Sequence, residues 1–326
     1  MENVSIVATG LWHPEDEVDN EWFIEHFAQR DIDVKGLLHA LGHQKRYLIR
    51  NGQDTTLTMA QAASRLALDQ AGLDAEDLDL IIFTSQTPEY LIPATALKLH
   101  HALGAASHTL AYDLNANCVG MVIALDQAAR AMMARPDCRS ALVVGTDFLG
   151  AHSQDAPVYH ACMAESAAAV ILRKTAHGRG IIDARIHVDT SVIDNSLFPG
   201  NGLSNIHQPG LSARIQFTPF DDSICVDAAV DSIQALLARH HLCAADIGGF
   251  MLSQFSIGNI AKICARLGVD QEKAPHVAHR FGYTATNSPF VAFHESIRKG
   301  IIKKNDLVVF WSVGAGWQSA AVLMEY

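Results

Sequence analysis

Cys118 stands at the head of the most chemically suggestive stretch of this chain. It closes the segment DLNANC (113–118) and leads directly into the small-residue apolar run VGMVIAL (119–125). That run has the composition of a buried helix, expected over Val119 to Ala131, so the sulfur is expected at a strand-to-helix turn. There the positive end of a helix dipole favours a thiolate, with a pKa below that of a free cysteine. Unpaired N–H groups are also available to meet a developing oxyanion. A nucleophile so placed could carry an acyl group as a thioester. A buried structural cysteine would present the same local sequence, since cysteine is among the residues most often buried.

Further candidates come from histidines and a carboxylate. His294 lies in SPFVAFHESIR (288–298), where positions 290, 294 and 297 share one helical face and set it beside Phe290 and Ile297 on the inward stripe. It reads either as a general base or as a satisfied core histidine. His207 lies in the Gly- and Pro-rich run FPGNGLSNIHQPG (198–210), either a residue of a covering loop or an exposed loop histidine. Glu165, in the turn MAES before an apolar run, reads as structural.

The elements that must position these residues repeat. LDAEDLDLIIFTSQ (73–86) resembles LCAADIGGFMLSQ (242–254), and each follows an amphipathic helix, Thr58 to Ala71 and Ala228 to His240. SALVVGTD (140–147) likewise pairs with DLVVFWS (306–312). The offset is 169 residues from Leu73 to Leu242 and 165 from Leu142 to Leu307. Continuous apolar strands alternating with helices predict parallel-rich sheets covered on both faces, in two α/β halves, residues 1–174 and 175–326. In such a fold, sites form where strand C-terminal ends and helix N-termini of both halves meet.

Composition narrows the function. The chain has 326 residues, 49% of them hydrophobic, which is ample for more than one core. A net charge of −11 without a basic run argues against nucleic acid as a partner. No apolar run reaches membrane-spanning length, and the first residues lack the pattern of an anchor or signal peptide. Six cysteines are scattered singly, which argues against a metal site or a disulfide framework and fits a reducing cytoplasm.

Seven segments in order resemble the thiolase superfamily, specifically the β-ketoacyl-acyl-carrier-protein synthase III group. They are GLWHP (10–14) with Val18 and Asn20, GHQKR (42–46), TSQTP (84–88) with Ile92 and Pro93, the Cys118 segment, MAESAAAVIL (163–172), FGYTA (281–285) and GAGW (314–317). The resemblance implies a five-layer αβαβα fold, a homodimer, and a cysteine acylated from coenzyme A or an acyl-carrier protein, with no other cofactor and no metal. It also implies an oxyanion hole built from the N–H groups of Cys118 and Gly316. The family carries a His where this chain has Ser253, and an Asn where it has Tyr283; together these hold the malonyl thioester during decarboxylation. A basic residue that docks the carrier protein is replaced by Gly258, with Lys262 and Arg266 further along the same helix. The aromatic residue that stacks on the coenzyme adenine is not evident in 31–36.

These departures imply an acyltransferase of specialised, fatty-acid- or polyketide-type metabolism that passes an acyl group from Cys118 to a non-malonyl acceptor. His294 is the expected base, with Asn287, Ser253 and Tyr283 as donors near the thioester and His207 in the covering loop. Two other readings stand beside it: a ketosynthase condensing through a Cys–His pair, and a non-catalytic subunit that partners an active homologue.

Overall fold

The computed structural model describes residues 3–154, 156–176, 178–208 and 214–326. Its first sheet contains β1 (Asn3–Trp12), β2 (Leu80–Thr84), β3 (Leu110–Leu114), β4 (Ser140–Thr146) and β5 (Ala167–Thr175) in the order β1-β5-β4-β2-β3. Its second contains β6 (Ile181–Val188), β7 (Gly249–Leu252), β8 (Leu307–Gly314) and β9 (Gln318–Glu325) in the order β7-β8-β9-β6. Read from β1 and from β6, the two orders match except that, among the described residues, the second sheet has no counterpart of β3. The strands flanking β2 and the β7–β8 pair are parallel, and the remaining neighbours in the two sheets are antiparallel.

Six principal helices form the other layers: α1 (Thr56–Ala71), α2 (Thr95–Leu103), α3 (Gly120–Ala134), α4 (Ser223–Arg239), α5 (Ile257–Leu267) and α6 (Ser288–Arg298). The central strands β2, β4, β7 and β8 are almost wholly buried and mostly apolar because both faces are covered, and successive side chains point to opposite layers. Leu80 and Ile82 pack centrally with α3 and α6, whereas Ile81 and Phe83 pack outward with α1 and α2. In β8, Val308 and Phe310 face the centre while Val309 and Trp311 face α4 and α5. The result is the αβαβα stack, with α3 and α6 between the sheets.

Element ends differ from the sequence reading where local turns intervene. The helix after Cys118 begins at Gly120, because Asn117–Val119 forms a 3-10 turn, and it runs on to Ala134. Helix α4 begins at Ser223, five residues before the expected start, after a turn in which Asp221 accepts from Ser223 N. Close approach of α1 to β1 requires Gly10, since a Cβ there would lie 2.1 Å from the Ala63 carbonyl oxygen.

Candidate active site

Cys118 sits where the halves meet, 6% exposed, in a turn whose preceding residue Asn117 has a positive φ of 54°. Residues from both halves clamp this turn. Ser312 Oγ donates to the Cys118 carbonyl at 2.8 Å, and Asn117 Nδ2 donates to the Ala315 carbonyl at 2.9 Å. Met121 N donates to Thr286 Oγ1, which also lies 3.2 Å from Thr84 Oγ1. Glycine is required at 120, because a Cβ would lie 2.3 Å from Thr84 Oγ1.

The sulfur opens into a cavity of about 360 Å³ with mainly apolar walls. Leu41, Tyr159, Phe217, Phe255, Ile263 and Trp311 line it, and Ser253, Tyr283 and Gly316 share it with Cys118. Gly316 has φ 75°, and among the described residues its N–H makes no hydrogen bond. The cysteine turn and the Gly314–Trp317 turn therefore present backbone to one space, the arrangement an oxyanion hole needs.

Two polar side chains stand beside the sulfur. The Tyr283 side chain packs in the same cluster as Cys118, where its hydroxyl opposes the rise of the thiol pKa and accepts weakly from Ser253 Oγ at 3.4 Å. Gln86 Nε2 lies 3.5 Å from Sγ. Tyr283 is held from both sides of its backbone: its N donates to Cys162 O, and its carbonyl accepts from Ala164 N. Burial holds the Tyr283 phenol far above its usual range, so it stays a donor.

Burial also overturns the expected thiol acidity. It pushes the Cys118 thiol up to about 11; the Tyr283 and Gln86 bonds oppose the rise, and the Asp147 charge adds to it. Desolvation of a charged sulfur outweighs the contribution of one helix terminus. Exposed Cys243, not Cys118, is thus the cysteine that alkylating reagents meet first.

The remaining candidates separate from the sulfur. His294 does not reach the cavity: its Nδ1 lies 2.8 Å from Thr9 Oγ1, against β1, and burial lowers its pKa. It stands seven residues past Asn287, about 10 Å along the helix axis. Asn287 is fully buried, with Nδ2 donating to the carbonyls of Gly145 and Ser166 and Oδ1 accepting from Ser166 Oγ, so it ties α6 to the first sheet. His207 is exposed and away from the cavity wall; its loop ends in residues 209 and 210, outside those described. Glu165 is buried and accepts from Ile49 N, with burial raising its pKa to about 8. Arg266 on α5 is paired with Asp227.

Gln86 and Asp147, quoted above only as strand ends, were not singled out as site residues. A signal existed: β2 and β4 run parallel with Thr84 opposite Gly145, so the residues just beyond each fall together at the carboxyl edge.

Fold and site together define a thiolase-type α/β protein whose candidate nucleophile is a cysteine at the seam of two repeats. Residues 112–190 match the family model for 3-oxoacyl-(acyl-carrier-protein) synthase III, and residues 237–326 match the model for its C-terminal part. The two together span just over half of the chain, and the chain belongs to this family of acyl-transferring enzymes. The β-ketoacyl-(acyl-carrier-protein) synthase III of Clostridium perfringens is 28% identical over 330 residues, covering 100% of each chain. That of Erythrobacter litoralis is 29% identical over 330 residues, again covering 100% of each. The crystal structure of the Aquifex aeolicus 3-oxoacyl-(acyl-carrier-protein) synthase III superposes with a TM-score of 0.87 at 22% identity, over 99% of this chain and 100% of that one.

Proposed function

We propose that Cys118 takes an acyl group from coenzyme A or an acyl-carrier protein as a thioester and passes it to an acceptor other than a malonyl thioester. The observation that carries this reading is the set of groups around the sulfur. Gln86 Nε2 lies 3.5 Å from Sγ, the Tyr283 hydroxyl beside it opposes the rise of the thiol pKa and accepts from Ser253, and among the described residues no histidine lines the cavity. Side-chain donors committed to the sulfur stabilise a thiolate, as nucleophile and as leaving group. They leave no side-chain pair free to hold the enolate oxygen that forms when malonyl loses carbon dioxide.

In the first step the Cys118 sulfur attacks the donor carbonyl, and the oxyanion forms beside the backbone of Cys118 and Gly316. The donor carbon–sulfur bond then breaks, and the proton from Cys118 ends on the departing thiol. Net proton balance therefore needs no added base. In the second step the acceptor attacks the new thioester, the Cys118 thiolate leaves, and the acceptor's proton returns to it. Exposed Leu110 on edge strand β3, with exposed Leu91 and Ile92 nearby in sequence, supports association of two copies through the first half.

Intact-mass measurement after incubation with a panel of acyl-coenzyme A and acyl-carrier donors tests the reading. One acyl increment mapping to Cys118 is expected. The absence of any increment across the panel would favour the non-catalytic subunit, which a thiol held near pKa 11 also suits. Condensation through His294 lacks the required contact.

A further inference from the structure

Asp147 is 2% exposed and accepts four hydrogen bonds at the end of β4. Its Oδ1 takes Gln86 N at 2.6 Å and Ser85 Oγ at 3.2 Å; its Oδ2 takes Gln86 Nε2 at 3.1 Å and Thr286 N at 3.1 Å. One carboxylate thus grips Gln86 by both its backbone and its side chain. Burial raises the Asp147 pKa and these four bonds oppose the rise; in its ionised form the carboxylate accepts and does not donate, which turns the amide nitrogen of Gln86 toward it. That nitrogen carries two hydrogens, and the second is available to Cys118 Sγ at 3.5 Å. A freely rotating glutamine would present its carbonyl oxygen to the sulfur in half of its orientations and repel a thiolate.

We propose that Gln86 is a catalytic residue, an amide donor that stabilises the Cys118 thiolate, and that Asp147 is the positioning residue that fixes its orientation. The proposal rests on the thioester reading for its role in turnover. In acylation the sulfur gains the acyl carbon as its proton passes to the departing thiol. In transfer the sulfur leaves with the electron pair and takes the acceptor's proton. Gln86 exchanges no proton in either step; it holds the sulfur whenever that sulfur is charged. Tyr283, on the other half of the chain, supplies the second donor, so the thiolate is held between the two repeats.

The test needs no acyl donor. Iodoacetamide alkylation of Cys118 is followed by peptide mapping between pH 6 and 11, with thermal unfolding measured on every variant. Gln86→Ala is expected to slow alkylation about 10-fold at pH 8 and to displace the profile upward by about one pH unit, the effect of one lost bond to a charged group. Gln86→Glu, which sets a carboxyl beside both Asp147 and the sulfur, should slow it further. Asp147→Asn, which no longer dictates the amide orientation, should fall between native and Gln86→Ala. A folded Gln86→Ala protein with the native profile would overturn the proposal. If the alanine variant does not fold, Gln86→Met has the same length and no donor, and a native profile there overturns it equally. A displaced profile without acylation by any donor would sink the thioester reading and leave the Gln86 donor standing.

Discussion

Replacing Tyr283 with Phe removes one oxygen from the sulfur's surroundings and little else. The ring stays where it is, 3% exposed and edge-on to Phe255 with centroids 5.2 Å apart. The backbone bonds to Cys162 and Ala164 are untouched. The fold therefore loses only the weak bond from Ser253, about 1 kcal/mol at most. The thiolate loses more, because a hydrogen bond to a charged group contributes about 1.5–3 kcal/mol. That range corresponds to a rise of about one to two pKa units, and to a rate at fixed pH lower by about 10- to 150-fold. Since the native thiol already sits near 11, the native rate itself should climb about tenfold per pH unit through neutrality. Single-turnover acylation followed by intact mass, run from pH 6 to 10, reads both effects on one curve. Tyr283→Phe should give a parallel curve displaced to higher pH, with thermal unfolding nearly unchanged. Acylation within twofold of native across that range would show that the phenol does not serve the sulfur, and the account of the site would fail.

Four further outcomes follow from the same contacts. Cys118→Ala should abolish the acyl increment without altering thermal unfolding; label surviving at Cys162 or Cys225 would refute the nucleophile assignment. The purified protein should release little carbon dioxide from malonyl thioesters, and robust release would transfer support to a ketosynthase. His294→Ala should lower stability by about 1–3 kcal/mol through the lost Thr9 bond and a small void, with specific activity unchanged; a 10²-fold loss of rate in a fully folded variant would restore it as the base. Glu165 titrates near 8 when folded against about 4.5 otherwise, so the folded state binds its proton more tightly and its contribution to stability falls as pH rises from 4.5 through 8. Glu165→Gln should remove that dependence, gaining on the order of 3–5 kcal/mol over native at pH 8.5 and far less at pH 5, as read by denaturant unfolding.

The alternation of apolar strands and amphipathic helices carries the fold because the central strands are covered on both faces, leaving a nearly unbroken hydrophobic signal at Leu80–Thr84 and Leu307–Gly314. The Cys118 turn was legible because its signal is local: a polar run, one cysteine, then small apolar residues. Sequence periodicity fixed the buried face of α6 but said nothing about depth along the axis, so His294 was matched to the right stripe and the wrong end. Asn287 stands at the N-cap of α6, as its place before Ser288 and Pro289 suggests, but its carbonyl partners, Gly145 and Ser166, lie more than a hundred residues away and leave no local signal. The thiol's acidity was misjudged because local sequence reveals a helix terminus but not how completely other segments close over it.

The duplicated architecture divides labour between its copies. The proposed nucleophile belongs to the first repeat, while Ser253, Tyr283 and Gly316, which share its cavity, belong to the second and lie more than 130 positions downstream. Backbone clamps such as Ser312 on the Cys118 carbonyl hold the cysteine turn without touching the groups that line the cavity beyond it. Such a layout can be re-tuned by changes at the second repeat's strand ends while the cysteine segment stays as it is. On the proposed reading, the acyl group carried by Cys118 can then be given a different destination without rebuilding the cysteine segment.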